Sequence, residues 1–498
     1  MSNPAAATAA GAPTAKPVEK TPSYAWPCLI VSLLAAVGIV FAWMWLPGIT
    51  FPVFKNWLAE NNSFFANPAN FGLLSNVMGL VPIGALIMAL PTTILVRKFG
   101  AKATTLIGVG AAVVGSAISA AFVGGNFYVF LAGRFILGLG LSTTVVAGPT
   151  CVSMWFPDAT RGRAMAIWSI WAPVGIFLSN FVNDGVYNLV GSNMSNLQWV
   201  WVAVAAVCGI LFAVVFRDPK GDERSQVSPE RKPLKAVLKF FKSRQLWCLI
   251  FMFAIFNYMN YAFSQYLKTW LQTPEALGGF GWDATTAGLW GGLIVACGAL
   301  APLGGLILDK TPKSKKYLCV VVGILGLTIC SALAFHAEFF IPYVLFFCIG
   351  NMMLNACCRP LVPTFVFKGG ATAVAFGLSF LTLGQYAGQI VTSYALAPFN
   401  EGLTAASNVA IQAKQAVLAS GGTPADFGPA IGQAVQEAVA QGIHVDPMLA
   451  FWALVPIGVV GCILSFGVKP SKQAAGAGAG AGAPAGKPAE GSEAPAQH

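Results

Sequence analysis

The chain of 498 residues carries 29 Lys+Arg against 18 Asp+Glu, is 56% hydrophobic and only 9% charged, where soluble domains carry about 25% charged residues. Its mean hydropathy is +0.69. These values exclude a soluble enzyme, a disordered protein and a disulfide-stapled secreted module, and describe a chain dissolved in lipid.

A transmembrane helix takes about 20 mostly apolar residues. Twelve such segments occur, at 26–47, 71–96, 103–124, 127–154, 164–190, 198–216, 246–267, 285–308, 317–337, 339–363, 371–398 and 447–468. The first follows a polar Ala/Pro-rich leader, residues 1–23, without an A-x-A cleavage site, and is read as span one rather than a removed signal peptide. Lys and Arg resist translocation. With both termini cytoplasmic, 24 of the 29 lie inside, only Lys55, Lys268 and Lys414 lie outside, and Arg134 and Arg359 fall within spans.

The longest cytoplasmic connection, 217–245, divides the spans into a bundle at 24–216 and a second at 246–468. Its amphipathic stretch 234–241 suits a membrane surface. The external segment 399–446, rich in Ala and Gln, is expected to form two short helices over the outer mouth, and the Ala/Gly/Pro tail 469–498 to be disordered. The eleven cysteines include no CxxC pair and are read as small core residues, with neither a zinc site nor a disulfide framework. The basic residues sit in short clusters between apolar runs, which is not a nucleic-acid footprint. No cofactor or metal motif occurs, and a phosphate loop of the G-x-x-x-x-G-K-[ST] kind is missing.

The two halves repeat each other. PTCVSMWFPDATRGRAMAIWS (149–169) lines up with PTFVFKGGATAVAFGLS (363–379), and GALIMALPTTILVRKFGAK, from Gly84, with GALAPLGGLILDKTPKSKK, from Gly298. On these residues the chain resembles the major facilitator superfamily over 24–468. That resemblance implies an all-α membrane protein of 12 transmembrane helices in two pseudo-symmetric six-helix bundles. It also implies a cytoplasmic gating loop of the form G-x-x-x-D-[RK]-x-G-[RK]-[RK] after spans two and eight. The first copy, TILVRKFGAK, has Thr93 in the Gly place and Arg97 in the Asp place, followed by Lys98 and Gly100. The second keeps Gly305, Asp309 and Lys310. Span four carries GRFILGLG (133–140), similar to the family's R-x-x-Q-G-x-G with Leu137 for the glutamine. Within the superfamily, Trp155, Phe156 and Pro157 followed by Arg161, Gly162 and Arg163 resemble the loop of organic-anion carriers of the oxalate/formate type. Arg161 and Arg163 thereby join the gating residues.

An ionised side chain inside a bilayer marks a pathway, a partner or a snorkelling end. Arg134 lies seven residues into span four. Arg359 follows Asn351 and Asn355 at steps of four, one helical face, although it also lies close enough to the inner end to snorkel. Asn257, Tyr261 and Ser264 line span seven, Gln385 and Gln389 span eleven, and Trp43 of span one is a candidate wall. Such stripes either join helices by hydrogen bonds or face a substrate. Asp184, near the outer end of span five, is the one carboxylate placed within a helix and hence the candidate for coupling.

Two intramembrane arginines with few buried acids predict a secondary transporter that moves a small organic anion, a carboxylate, by alternating access, with a proton or counter-anion as partner. Localisation in a bacterial-type inner membrane follows from topology and resemblance, and a monomer suffices. Two other classes fit the same fold: an exporter of hydrophobic or drug-like compounds, and a non-transporting membrane receptor.

Overall fold

The computed structural model describes residues 21–219, 243–275, 279–334, 336–366, 370–423, 426–441 and 453–469. The leader, most of the 217–245 linker with its amphipathic stretch, and the tail after 469 lie outside these residues, as does the start of the twelfth expected span. Every described element is helical, with α1 at Ala25–Ile49, α2 at Phe51–Asn61, α3 at Ser75–Phe122, α4 at Phe127–Trp155, α5 at Asp158–Trp168, α6 at Trp171–Leu189, α7 at Met194–Val215 and α8 at Arg244–Gln272. The remainder are α9 at Ala284–Ala296, α10 at Ala301–Lys310, α11 at Tyr317–Leu333, α12 at Phe340–Val366, α13 at Gly370–Ala395, α14 at Ala397–Ala419, α15 at Phe427–Ala440 and α16 at Leu454–Gly467.

Among the described residues nine helices are long and apolar enough to cross a membrane, and α11 and α16 are shorter apolar helices. All of the expected spans hold helix, with different limits. Spans two and three are two helical segments, together labelled α3, joined by a non-helical turn at Gly100, where φ is +83°. Only a residue without Cβ reaches that conformation at no steric cost. Span five is broken between α5 and α6, and span eight between α9 and α10, where a short 3-10 turn, Cys297–Leu300, precedes Pro302. Span seven extends outward to Gln272 and so takes in Lys268, which was expected outside. The external segment does form two helices, α14 and α15, which close on Ala410, Ala413 and Ile431, and α14 packs against α2, an external helix that hydropathy does not mark.

Helix starts follow side-chain oxygens. Asn126 accepts from the amides of Tyr128 and Val129 to open α4, Asn193 opens α7, Ser243 opens α8 and Asp283 opens α9. The bonds from Thr286, with a smaller part from the Thr285 amide, hold the exposed Asp283 carboxyl below its ordinary range.

Lipid supplies no hydrophobic drive between helices, so they associate by close packing at small residues. The tightest pair is α3 with α4, where Gly84 lies against Phe135 and Leu139, Gly115 against Gly133 and Leu137, and Gly140 against Gly108 and Ala112. Gly138 sits on the Val81 carbonyl with no room for a methyl group. One reading of the cysteines is corrected: Cys297 and Cys348 form a disulfide. Residues 51 apart in sequence meet because α12 packs beside the turn between α9 and α10, which spacing alone does not reveal.

Gly138→Val should force α3 and α4 apart and sharply lower the thermal midpoint of the detergent-purified protein, whereas Gly110→Ala, whose Cβ would meet nothing within 4 Å, should leave it in place. Equal midpoints for the two variants would show that this contact does not hold the pair.

Candidate functional site

The site begins with the backbone of α1. Proline has no N–H, so Pro47 leaves the Trp43 carbonyl without the donor a helix would give, and the end of α1 at Ile49 does the same for the Gly48 carbonyl. Met44 lies between them in a non-helical conformation, and α1 ends at Thr50 with φ +81°. A carbonyl without a donor costs several kcal/mol in a bilayer core (roughly, by transfer data). Two cations from other helices meet this demand. Arg134 of α4, fully buried, donates from Nη2 to Trp43 O, from Nη1 to Ala42 O and from Nε to Val77 O of α3, each at 2.9 Å. Lys268 of α8, 2% exposed, donates from Nζ to Gly48 O and pairs with Asp184 of α6.

These two cations differ in what they join. Arg134 bonds only residues of the N-terminal half. Lys268 belongs to the C-terminal half and holds α1 and α6 of the other, so it latches the halves near their outer ends. Around it, Tyr394 of α13 donates to Asn76 of α3 at 2.9 Å, and Gly288 and Gly292 of α9 fit against Asn180 and Phe177 of α6. Toward the inner side Thr93 of α3 meets Ser379 of α13 at 3.1 Å.

Between these levels lie the residues the sequence singled out. Trp43 stacks on Tyr261 across the two halves, centroids 5.7 Å apart, and Tyr261 also lies within the electrostatic field of Arg134. Asn257 donates to Phe253 O at 2.8 Å, and Ser264 to Asn260 O at 2.8 Å, so both use a hydrogen on their own helix. Asn355, exposed on its face of α12, donates to Asn351 O at 3.1 Å and lies beside Gly298. Arg359 has no hydrogen-bond or ion-pair partner among the described residues, and Tyr386 of α13 lies within its electrostatic reach. Tyr386 in turn faces Ser142 of α4 across the interface. Buried polar atoms without a hydrogen-bond partner are spread along these helices: Trp43 Nε1, Ser142 Oγ, Asn260 Oδ1, the Tyr261 and Tyr386 hydroxyls, both side-chain polar atoms of Gln265, and the Oε1 atoms of Gln385 and Gln389.

Of the gating residues, Gly100 forms the turn described above, Lys98 is exposed and lies 5.2 Å from the centroid of the Phe99 ring, Arg163 and Lys310 are exposed, and Gly305 is half-buried with nothing near its Cβ position. The side chains of Arg97, Arg161 and Asp309 lie outside the described residues. Sequence reasoning missed Lys268 because it ended span seven one residue short of it. The signal available was Asp184, a membrane acid in need of a cation. It also missed Gln265, Tyr386 and Ser142, which share the faces of residues it chose. Among the described residues no group of three or more His, Cys, Asp or Glu could hold a metal ion.

Residues 29–393 match the Major Facilitator Superfamily. The chain belongs to this family. That is a non-enzymatic family of membrane transporters. Among curated relatives, the sugar transport protein MST7 of Oryza sativa subsp. japonica is 29% identical over 135 residues, 26% of this chain and 25% of the relative. Solute carrier family 49 member A3 of Danio rerio is 24% identical over 249 residues, 49% of this chain and 50% of the relative. The low-affinity glucose transporter HXT3 of Saccharomyces cerevisiae is 26% identical over 141 residues, 28% and 23%. The match thus spans half or less of these relatives' length. Among solved structures, the D-xylose-proton symporter superposes with a TM-score of 0.62 at 14% identity, over 91% of this chain and 99% of that one. A bacterial homologue of the human lysosomal transporter Spinster, inward-facing and unoccupied, superposes with a TM-score of 0.58 at 15% identity, over 91% and 100%. These agree in fold. The named relatives are sugar and family 49 carriers, so they lend no support to the finer resemblance to oxalate/formate-type carriers.

Breaking a buried ion pair by removing one partner costs about 3–5 kcal/mol, because the other charge stays buried. Lys268→Met should therefore destabilise the protein more than Lys268→Met with Asp184→Asn, a non-additivity of at least about 1 kcal/mol in a double-mutant cycle of detergent unfolding. Additive effects would dissolve the latch. Arg134→Lys, whose single ammonium cannot reproduce the planar fork that reaches carbonyls on two helices, should lower stability nearly as much as Arg134→Met. Wild-type stability in Arg134→Lys would refute the clamp.

Proposed function

We propose that this chain carries a small organic anion, a carboxylate, whose charged group binds at Arg359. The observation behind this reading is the unpaired Arg359 guanidinium, within electrostatic reach of Tyr386 and with no carboxylate bound to it among the described residues. The wider charge balance favours the same sign of substrate. Lys268 and Asp184 neutralise each other, whereas Arg134 and Arg359 are not neutralised, and a low-dielectric interior strengthens their pull on an anion. Arg134 spends its donors on carbonyls, so its part is to fix α1 and to add its field, while Arg359 makes the contact. Asn351 and Asn355 extend the Arg359 face, and Asn257, Tyr261, Ser264, Gln385, Gln389 and Trp43 form the remaining wall.

Transport then follows alternating access between two six-helix bundles with both termini cytoplasmic, in a bacterial-type inner membrane. Opening to the outside requires Lys268 to leave Gly48 and Asp184. Protonation of Asp184 would weaken that pair and gives a proton a route into the cycle. A counter-anion filling the Arg359 site on the return step is the other coupling this geometry allows. On the inner side the turn at Gly100, with Arg97 and Lys98, and its counterpart around Gly305, Asp309 and Lys310, together with Arg161 and Arg163, form the gate.

Labelled mono- and dicarboxylates offered to purified protein in liposomes should be taken up saturably, faster with internal anion or an acid exterior. A charge-assisted bond contributes about 1.5–3 kcal/mol, so Arg359→Gln should lower this uptake at least about 10-fold while elution profile and helicity stay as in wild type. Wild-type uptake by Arg359→Gln would remove the anion from this site.

A further inference from the structure

One span in each half is interrupted, and the two interruptions meet. Span five breaks between α5 and α6, and span eight between α9 and α10. At the second break Gly298 lies on Pro173 of α6, where a Cβ would come within 3.3 Å of the proline ring. Outward of this point α6 and α9 pack without a gap, since Asn180 and Phe177 leave no room for a Cβ at Gly288 and Gly292. Inward of it, Pro302 has no N–H to offer the Gly298 carbonyl, so the helical ladder is not continued across the break. The outer arm of span eight is thus seated on the other half, and the chain reaches its inner arm through the 3-10 turn Cys297–Leu300.

The first residue of that turn is covalently held. Cys297 is bonded to Cys348 of α12. Cys348, Asn355 and Arg359 follow one another at steps of seven and four, one line along α12, and Gly298, next to Cys297, lies beside Asn355. The bond therefore ties the break in span eight to the helix face that carries Arg359. Cys348 is eight residues from the outer end of α12 and eighteen from its inner end. Both bonded cysteines are half-buried, whereas Cys319, Cys330, Cys357 and Cys358 of the same half are buried. A disulfide answers to the thiol poise of the compartment that reaches it, oxidising outside the cell and reducing within. Both partners belong to the C-terminal bundle, so the bond stiffens one body and does not lock two together.

We infer that the Cys297–Cys348 pair is a redox switch on the pivot of span eight. Closed, it pins the start of the turn to α12, so that bending at the break moves the inner arm α10 while α9 stays seated on α6. Open, the turn is released from α12, and bending spreads into α9 and loosens its seat on the other half. Reduction exchanges the S–S bond for two thiols, the two electrons and two protons coming from a dithiol that leaves as its cyclic disulfide. A low-molecular-weight disulfide reverses the step and leaves as two thiols. The oxidised protein is the faster carrier, because rocking one bundle against the other needs each to move as one body.

The test uses the full-length protein, oxidised and after treatment with dithiothreitol, beside Cys297→Ser and Cys348→Ser. A maleimide first shows that the dithiol adds two reactive thiols to the folded wild type. Hydrogen exchange read by mass spectrometry needs no transported solute. On reduction the amides of 294–304 and 345–352 should exchange at least about 10-fold faster, those of α4 should hold their rates, and oxidised glutathione should restore protection. In liposomes the maximal rate of labelled carboxylate uptake should fall at least about 3-fold with the half-saturating concentration unchanged, because a conformational step is altered and binding is not. This uptake arm alone rests on the anion reading. The serine variants should start at the reduced rate and ignore the dithiol. A bond that the dithiol does not open in the folded protein, thiol release without local loss of protection, or a loss spread evenly over the whole bundle would overturn the switch, the last making the disulfide a plain staple. Unchanged or faster uptake after thiol release would overturn it as well. Should no carboxylate enter in either form, the anion reading falls while hydrogen exchange still decides the switch. Wild type reduced in place keeps the switch testable should a serine variant fail to fold.

Discussion

Within a bilayer no water is present to satisfy a peptide carbonyl, and helix α1 breaks its own hydrogen-bond ladder at two points where that matters. Pro47 removes the donor for the Trp43 carbonyl, and the end of α1 at Ile49 leaves the Gly48 carbonyl without one; both carbonyls face neighbouring helices. The consequence reaches across the molecule. Arg134 comes from α4 to serve the first carbonyl and Lys268 from α8 to serve the second, and the acid on α6 then balances Lys268. One local backbone irregularity thus fixes the relative placement of four helices, and it converts two costly buried cations into structural partners. The two bonds also divide by function. The Arg134 bonds stay within one half, while the Lys268 bonds cross between halves.

This division explains how a chain with so few charges can support a conformational cycle. Interfaces held by apolar burial alone have little to gain or lose in lipid, where the tails are as apolar as the side chains. Packing at glycine supplies the close fit within a half, as between α3 and α4. Polar bonds at the outer level and the Thr93–Ser379 contact toward the inner level supply discrete points that exist in one arrangement and not in another. Between them the interior keeps an unpaired guanidinium and a set of unmatched amides and hydroxyls.

The pattern of the fold was legible in the chain because the signals are local. Hydropathy over 20 residues located the spans, and Asn351, Asn355 and Arg359 lay on one face by helical period alone. What failed had non-local causes. Span seven was ended at 267 because Lys268 counted as charge at a membrane edge, yet its partners lie 84 and 220 residues away. The disulfide between Cys297 and Cys348 depended on two helices meeting. Gln265 was passed over beside Ser264 because composition does not tell which of two polar neighbours bonds its own helix.

Local pattern in the chain is therefore enough to specify that the protein is helical and membrane-embedded, which residues are polar where polarity is expensive, and that cations outnumber acids inside it. It does so because hydropathy, charge and helical period act within a few turns of chain. Tertiary structure alone decided what each intramembrane charge does: that Arg134 is spent on carbonyls, that Lys268 joins the halves with Asp184, and that Arg359 remains open. Those outcomes turn on which carbonyl or carboxylate a neighbouring helix brings within about 3 Å, and no local pattern in the chain encodes that.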